Sequence, residues 1–78
     1  MDIVSIIGIL GAFLVLLAFV LEQFNIWKNS DLIYDLVNLV GSVLLLIYGL
    51  LIHGYPFVIL NSVWAAVSAR DVIKNFAK

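Results

Sequence analysis

The sequence predicts an all-α membrane protein, a bundle of three transmembrane helices. Three observations carry that expectation. The chain has 78 residues, of which 65% are hydrophobic and 12% charged, whereas globular chains average about 45–50% apolar and about 25% charged. Three long apolar runs are separated by short polar turns. In the second run the polar residues Asp35, Asn38 and Ser42, with Gly49, recur at helical spacing on one face. A water-soluble chain this short buries only about 60% of the surface its unfolded form exposes, so lipid is the solvent this composition suits. Residues 1–78 read as one membrane domain.

The first run, Ile3 to Leu21, carries no charge. It reaches the roughly 20 apolar residues that a spanning helix needs at about 1.5 Å rise per residue. Met1-Asp2 lacks the positive start of a secretory signal, and the run exceeds an ordinary signal core, so the segment is expected to stay as a span. Ser5, Gly8, Gly11 and Ala12 mark a small-residue flank where another helix can come close. Glu22 to Lys28 is expected to carry the helix into the headgroups, giving a first helix over about 3–27, with Trp27 and Lys28 as interface anchors.

Asn29-Ser30-Asp31 is a turn and a helix start: the short polar side chains cap free N–H groups and the acid suits the positive end of the dipole. The second helix is expected over about 31–52. Gly54-Tyr55-Pro56 forms the second turn, with glycine ending one helix and proline opening the next. The third helix, over about 56–76, has only the stretch from Phe57 to Ala69 before Arg70. Its amphipathic tail must complete the span, with Arg70 and Lys74 reaching to the surface. Asn61, Ser62, Ala65, Ala66, Ser68 and Ala69 make it the least apolar of the three, which predicts that it lies between the first and second helices.

Charge sets the expected orientation. Lys28, Arg70, Lys74 and Lys78 all fall on the side of the first turn and the C-terminus. The positive-inside rule then puts the N-terminus out and the C-terminus in. A net charge of −1 gives no footprint for nucleic acid. Cysteine is absent and there is one histidine, so neither a disulfide framework nor a metal site is expected within one chain. No catalytic set, phosphate loop or cofactor motif appears, and the reading is not an enzyme and takes no cofactor.

Two readings compete at each polar position. Asn38 and Asn61 either line a polar path and bind a solute or clasp helices together. Tyr48 stands at a path mouth or in the aromatic belt with Tyr55. Trp64, one turn beyond Asn61, offers a stacking surface or fills space beside Ala65 and Ser68. His53 is a pH-responsive group or an ordinary interfacial histidine. Asp31 and Asp35 sit one turn apart in the first turns of a helix, where carboxylates are favourable. Glu22 has Lys28, Arg70 or a neighbouring chain as its candidate partner.

Gln23, the pair Tyr48-Gly49, Pro56 and Asn61 five residues later, set on three helices, resemble the PQ-loop superfamily, nearest to the bacterial SemiSWEET half-transporters. The stretches YDLVNLVGS and LNSVWA are similar to a group of small bacterial proteins of that superfamily. The resemblance implies a third helix between the other two and a parallel homodimer with the solute path between chains. It also implies that Asn61 flanks the solute. The tryptophan that faces this asparagine in SemiSWEETs is Leu45 here, and the proline of the Pro-Gln pair is Glu22. The leading expectation is therefore half of a small-solute, sugar-like transporter of the bacterial inner (plasma) membrane. Asn61, Asn38, Tyr48 and Trp64 would line the path, with Glu22 and Gln23 at the inner gate. The second is a non-transporting structural or regulatory subunit that binds other membrane helices. A channel-like pore has less support, since one helix face offers only Asp35, Asn38 and Ser42.

Overall fold

The computed structural model describes residues 1–77; Lys78, which the charge argument counted, lies outside them. The described residues form three helices, α1 (Ile3–Gln23), α2 (Leu32–Leu51) and α3 (Tyr55–Phe76). Each is long and apolar enough to cross a membrane. The extents of the fold, 37 × 23 × 17 Å, set its long axis against a hydrocarbon core of about 30 Å.

What is buried identifies the solvent. The buried hydrophobic residues are Ala18 and Val72, while Asp35, Asn38, Ser42, Asn61 and Ser68 are all buried. Phe13, Leu16, Phe19, Leu50, Ile59 and Leu60 are each at least half exposed. Apolar side chains outward and small or polar ones inward is the pattern of helices associating in lipid, where close packing replaces hydrophobic burial. The protein is a membrane protein.

The first and last helix boundaries differ in how they meet expectation. Asp2 caps α1, accepting from the Ser5 backbone N–H at 2.8 Å. That bond, aided by the Ser5 hydroxyl, holds the exposed Asp2 carboxyl below its ordinary range. α1 was expected to run to about residue 27 but stops at Gln23. Asn25 takes a left-handed φ of 62°, and the Asn25 and Ile26 N–H groups bond back to the Glu22 and Leu21 carbonyls. That reciprocal pair closes the helix end as a Schellman motif with asparagine in the αL position. The second turn repeats the device: His53 has φ 58°, and His53 and Gly54 donate to Leu50 and Gly49. Histidine, not Gly54, therefore ends α2, while Gly54 sits at φ −85° as the N-cap of α3. Asp31 caps α2 in position only; its carboxylate turns back to accept the Lys28 N–H at 2.9 Å and braces the first turn.

The order of the helices corrects the expected placement. α2 packs against both α1 and α3, and α1 and α3 make no close backbone approach to each other among the described residues. The middle helix is α2, not α3. Small residues on α3 pointed to a central place, but the decisive ones are on α2. A Cβ on Gly11 would stand 2.9 Å from the Gly41 carbonyl, and one on Gly41 would stand 2.8 Å from Val15 Cγ2. This backbone-to-backbone approach seats α1 directly on α2. Farther along, the Tyr48 ring lies over Gly8, and the Phe57 ring and Val58 lie over Gly49. Ala65, Ala66 and Ala69 of α3 are not buried, and they do not place it at the centre.

Candidate functional site

Because α1 and α3 flank α2 without a close backbone approach to each other, they leave a groove above one α2 face. Four recesses sharing lining residues make up this groove. Nearest the second turn, a recess of ≈ 410 Å³ lies among Ser5, Gly8, Ala12, Leu45 and Tyr48. Ala12 and Leu45 also line the next, of ≈ 460 Å³, with Phe19, Tyr34, Asn38 and Trp64. Trp64 and Val15 border a side recess of ≈ 240 Å³ with Asn61. Tyr34, Asn38 and Trp64 continue into a recess of ≈ 230 Å³ with Asn29, Asp35, Ser68 and Asp71. Beyond it, the first turn meets the end of α3 in a surface recess lined by Ser30, Lys74 and Asn75.

Helical spacing builds the walls. Tyr34 and Asn38 are one turn apart on α2, while Trp64, Ser68 and Asp71 follow one stripe of α3. The two asparagines behave alike. Asn38 Nδ2 donates to the Tyr34 carbonyl at 3.0 Å, and Asn61 Nδ2 donates to the Phe57 carbonyl at 2.9 Å. Each bond stays within its own helix, so neither amide clasps two helices. A carboxamide offers two N–H donors and an acceptor oxygen; here one donor is used. Ser42 likewise turns inward, donating to the Leu39 carbonyl at 3.0 Å.

The sequence-expected residues separate into three places. Asn38 and Trp64 share the largest recess, and Asn61 joins Trp64 in the side recess. Tyr48 lies in the neighbouring recess nearer the second turn, its ring edge-on to Phe57 with centroids 6.1 Å apart. Glu22 and Gln23 line none of these recesses; Gln23 Nε2 donates to Glu22 Oε2 at 2.9 Å, in an exposed position. Glu22 takes up neither Lys28 nor Arg70; the Arg70 guanidinium instead pairs with Asp71 at 3.2 Å. His53 is exposed in the second turn, 3.4 Å from the Tyr55 hydroxyl. No group of acidic or histidine side chains suited to a metal ion occurs among the described residues.

Three contributors were not singled out from sequence: Tyr34, Asp71 and Asn75. The α3 positions lie beyond the apolar run, where the chain reads as a solvated tail. Their heptad-like relation to Trp64 was the available signal. Asn75 donates through Nδ2 to Asp35 Oδ2, joining the end of α3 to the start of α2. The other described side-chain hydrogen bonds join residues at most four apart.

A family model matches residues 4–78, taking in all three helices. The chain belongs to that uncharacterised family. No curated protein and no solved structure gives a significant match to it.

Proposed function

We propose that the chain is half of a small-solute transporter, acting as a homodimer in the bacterial inner (plasma) membrane with its N-terminus out and C-terminus in. The observation that carries this reading is the groove with its two under-used carboxamides. Asn38 and Asn61 are only 5% and 6% exposed, yet each has hydrogen-bonding capacity left over beside a recess. In hydrocarbon, a polar group without a partner is unfavourable. A groove carrying such groups is better covered by protein than by lipid tails. A second copy laid over it would turn two open grooves into one enclosed path, with Asn38, Asn61 and Trp64 along its middle and Tyr48 toward the second-turn end. Four basic residues on the side of the first turn and C-terminus support the orientation.

The PQ-loop and SemiSWEET resemblance supports a sugar-like solute through Tyr48-Gly49, Pro56 and Asn61. The family match adds nothing to it, and the central α2 departs from the helix order it implies. Glu22 and Gln23 keep their gate role through the resemblance alone. One observation favours the second reading, a structural or regulatory subunit that binds other membrane helices: Leu45, where a stacking tryptophan would serve a sugar, forms an apolar floor common to the two largest recesses.

Uptake of a panel of labelled solutes into proteoliposomes tests the proposal. Wild-type protein is expected to accumulate at least one solute and Asn61→Ala to lose most of that uptake, with a two-chain species captured by cross-linking in the membrane. If no solute moves while a different membrane protein copurifies tightly, the subunit reading replaces it.

A further inference from the structure

The first-turn end of the groove differs in chemistry from the rest. Its ≈ 230 Å³ recess combines the Asp35 and Asp71 carboxyls, the Asn38 carboxamide and the aromatic rings of Tyr34 and Trp64. Among the described residues, no lysine or arginine lines it. Asn38 supplies the observation that points to a ligand. Its amide N–H is taken by the Tyr34 carbonyl, and its carboxamide oxygen has no hydrogen-bond partner among the described residues. Every fully buried side-chain nitrogen or oxygen among them does have one. The Asn38 oxygen therefore keeps a small exposure, and Asn38 lines both this recess and the larger one next to it. Asp71 is held from outside, since Arg70 Nε and Nη2 both reach Oδ1, at 3.3 and 3.2 Å. Its second oxygen stays clear of that pair. Lys74 borders the adjoining surface recess, which shares Asn29, Asp35 and Asp71 with this one.

Acceptor oxygens and the negative faces of aromatic rings attract the same kind of group. We propose that this recess binds a small organic cation, an ammonium group seated between Trp64 and Tyr34 and facing Asp71 and Asn38. The proposal deepens the transporter reading by naming a solute class, and it rests on that reading only for what happens after binding.

Trp64 can report on the site directly once Trp27, the other tryptophan, is replaced by phenylalanine. The full chain in lipid nanodiscs is titrated with tetramethylammonium and with n-butylammonium, and with neutral tert-butanol as the uncharged match. The expected result is a saturable change in Trp64 fluorescence for at least one cation, at least tenfold tighter than for tert-butanol. Asp71→Asn and Asn38→Leu should each weaken it about tenfold, while Leu50→Ala, exposed and lining none of the groove's recesses, should leave it within twofold. Absence of saturation, equal affinity for the neutral compound, or an unchanged affinity in Asp71→Asn overturns the proposal. Cation binding without uptake of the same cation into proteoliposomes sustains the site and sinks the transporter reading. Uptake of neutral solutes with no cation binding does the reverse.

Discussion

The two sides of α2 are joined to their neighbours by different means. Against α1 the contact is shape alone: Gly11 and Gly41 bring two backbones together, and no described side-chain hydrogen bond crosses. Against α3 the contact is side chain on glycine near the second turn, where Phe57 and Val58 cover Gly49, and a polar tie near the first turn, where Asn75 meets Asp35. The difference teaches what each interface tolerates. A backbone-to-backbone contact has no rotamer with which to yield. A ring edge or a carboxamide can move and re-form its contact. The α1 side should therefore be brittle and the α3 side compliant, which also marks α3 as the wall able to shift around a solute.

The same substitution at both interfaces breaks or upholds this contrast. At Gly11 a new methyl meets the Gly41 carbonyl at 2.9 Å, so α1 must lift off α2. At Gly49 it meets Phe57 Cδ1 at 2.9 Å and Val58 Cγ2 at 3.1 Å, both movable. Overpacking a tight contact costs about 1–3 kcal/mol. Gly11→Ala is expected near the top of that range and Gly49→Ala near the bottom, about 1 kcal/mol, by reversible unfolding in mixed micelles. Equal losses would remove the distinction between a rigid and a yielding side.

The polar tie comes next in size. Asn75→Ala removes one interhelix hydrogen bond, and such bonds within membranes average about 0.6 kcal/mol. A loss of about that size is expected, because Asp35 has a further interaction to fall back on. The more telling readout is local. Spin labels at Asn29 and Ile73 should report a wider distance distribution in Asn75→Ala, while a pair spanning α1 and α2 should not change. A broadened α1–α2 pair would mean that the tie governs the whole bundle.

How much of this was legible beforehand depends on which physical signal carried it. Lipid as solvent and three spans followed from uninterrupted apolar runs. The buried stripe of Asp35, Asn38, Ser42 and Gly49 followed from helical spacing, and all four are buried. Helix order did not follow, because small residues announce a close approach without naming the partner. Gly11 and Gly41 could be matched only once both helices were placed in space. The extent of α1 was missed because Glu22 to Lys28 reads as a helix leaving the membrane, and the one cue in it, an asparagine able to take a left-handed turn at Asn25, is weaker than glycine would be. Among candidate site residues, Asn38 and Trp64 fell together in one recess, while Tyr34, Asp71 and Asn75 escaped notice because their role depends on how α3 ends beside the first turn.

The smallest expected effect concerns the link that makes the α3 side compliant. Only three residues, Ile52, His53 and Gly54, separate α2 from α3, and His53 holds φ 58°. A non-glycine residue in that region gives up about 1 kcal/mol. Replacing it by glycine removes the penalty but frees the unfolded chain, which offsets about half of the gain. His53→Gly is thus expected to stabilise the bundle by roughly 0.5 kcal/mol, and His53→Val, with a branched Cβ at the same φ, to destabilise it. Both act on the turn alone, so neither should alter the tert-butanol or ammonium titrations of Trp64. If His53→Gly instead loosens α3, the histidine ring and its contact with Tyr55 contribute more to that wall than the backbone conformation does, and the compliant side owes its shape to a side chain in the turn.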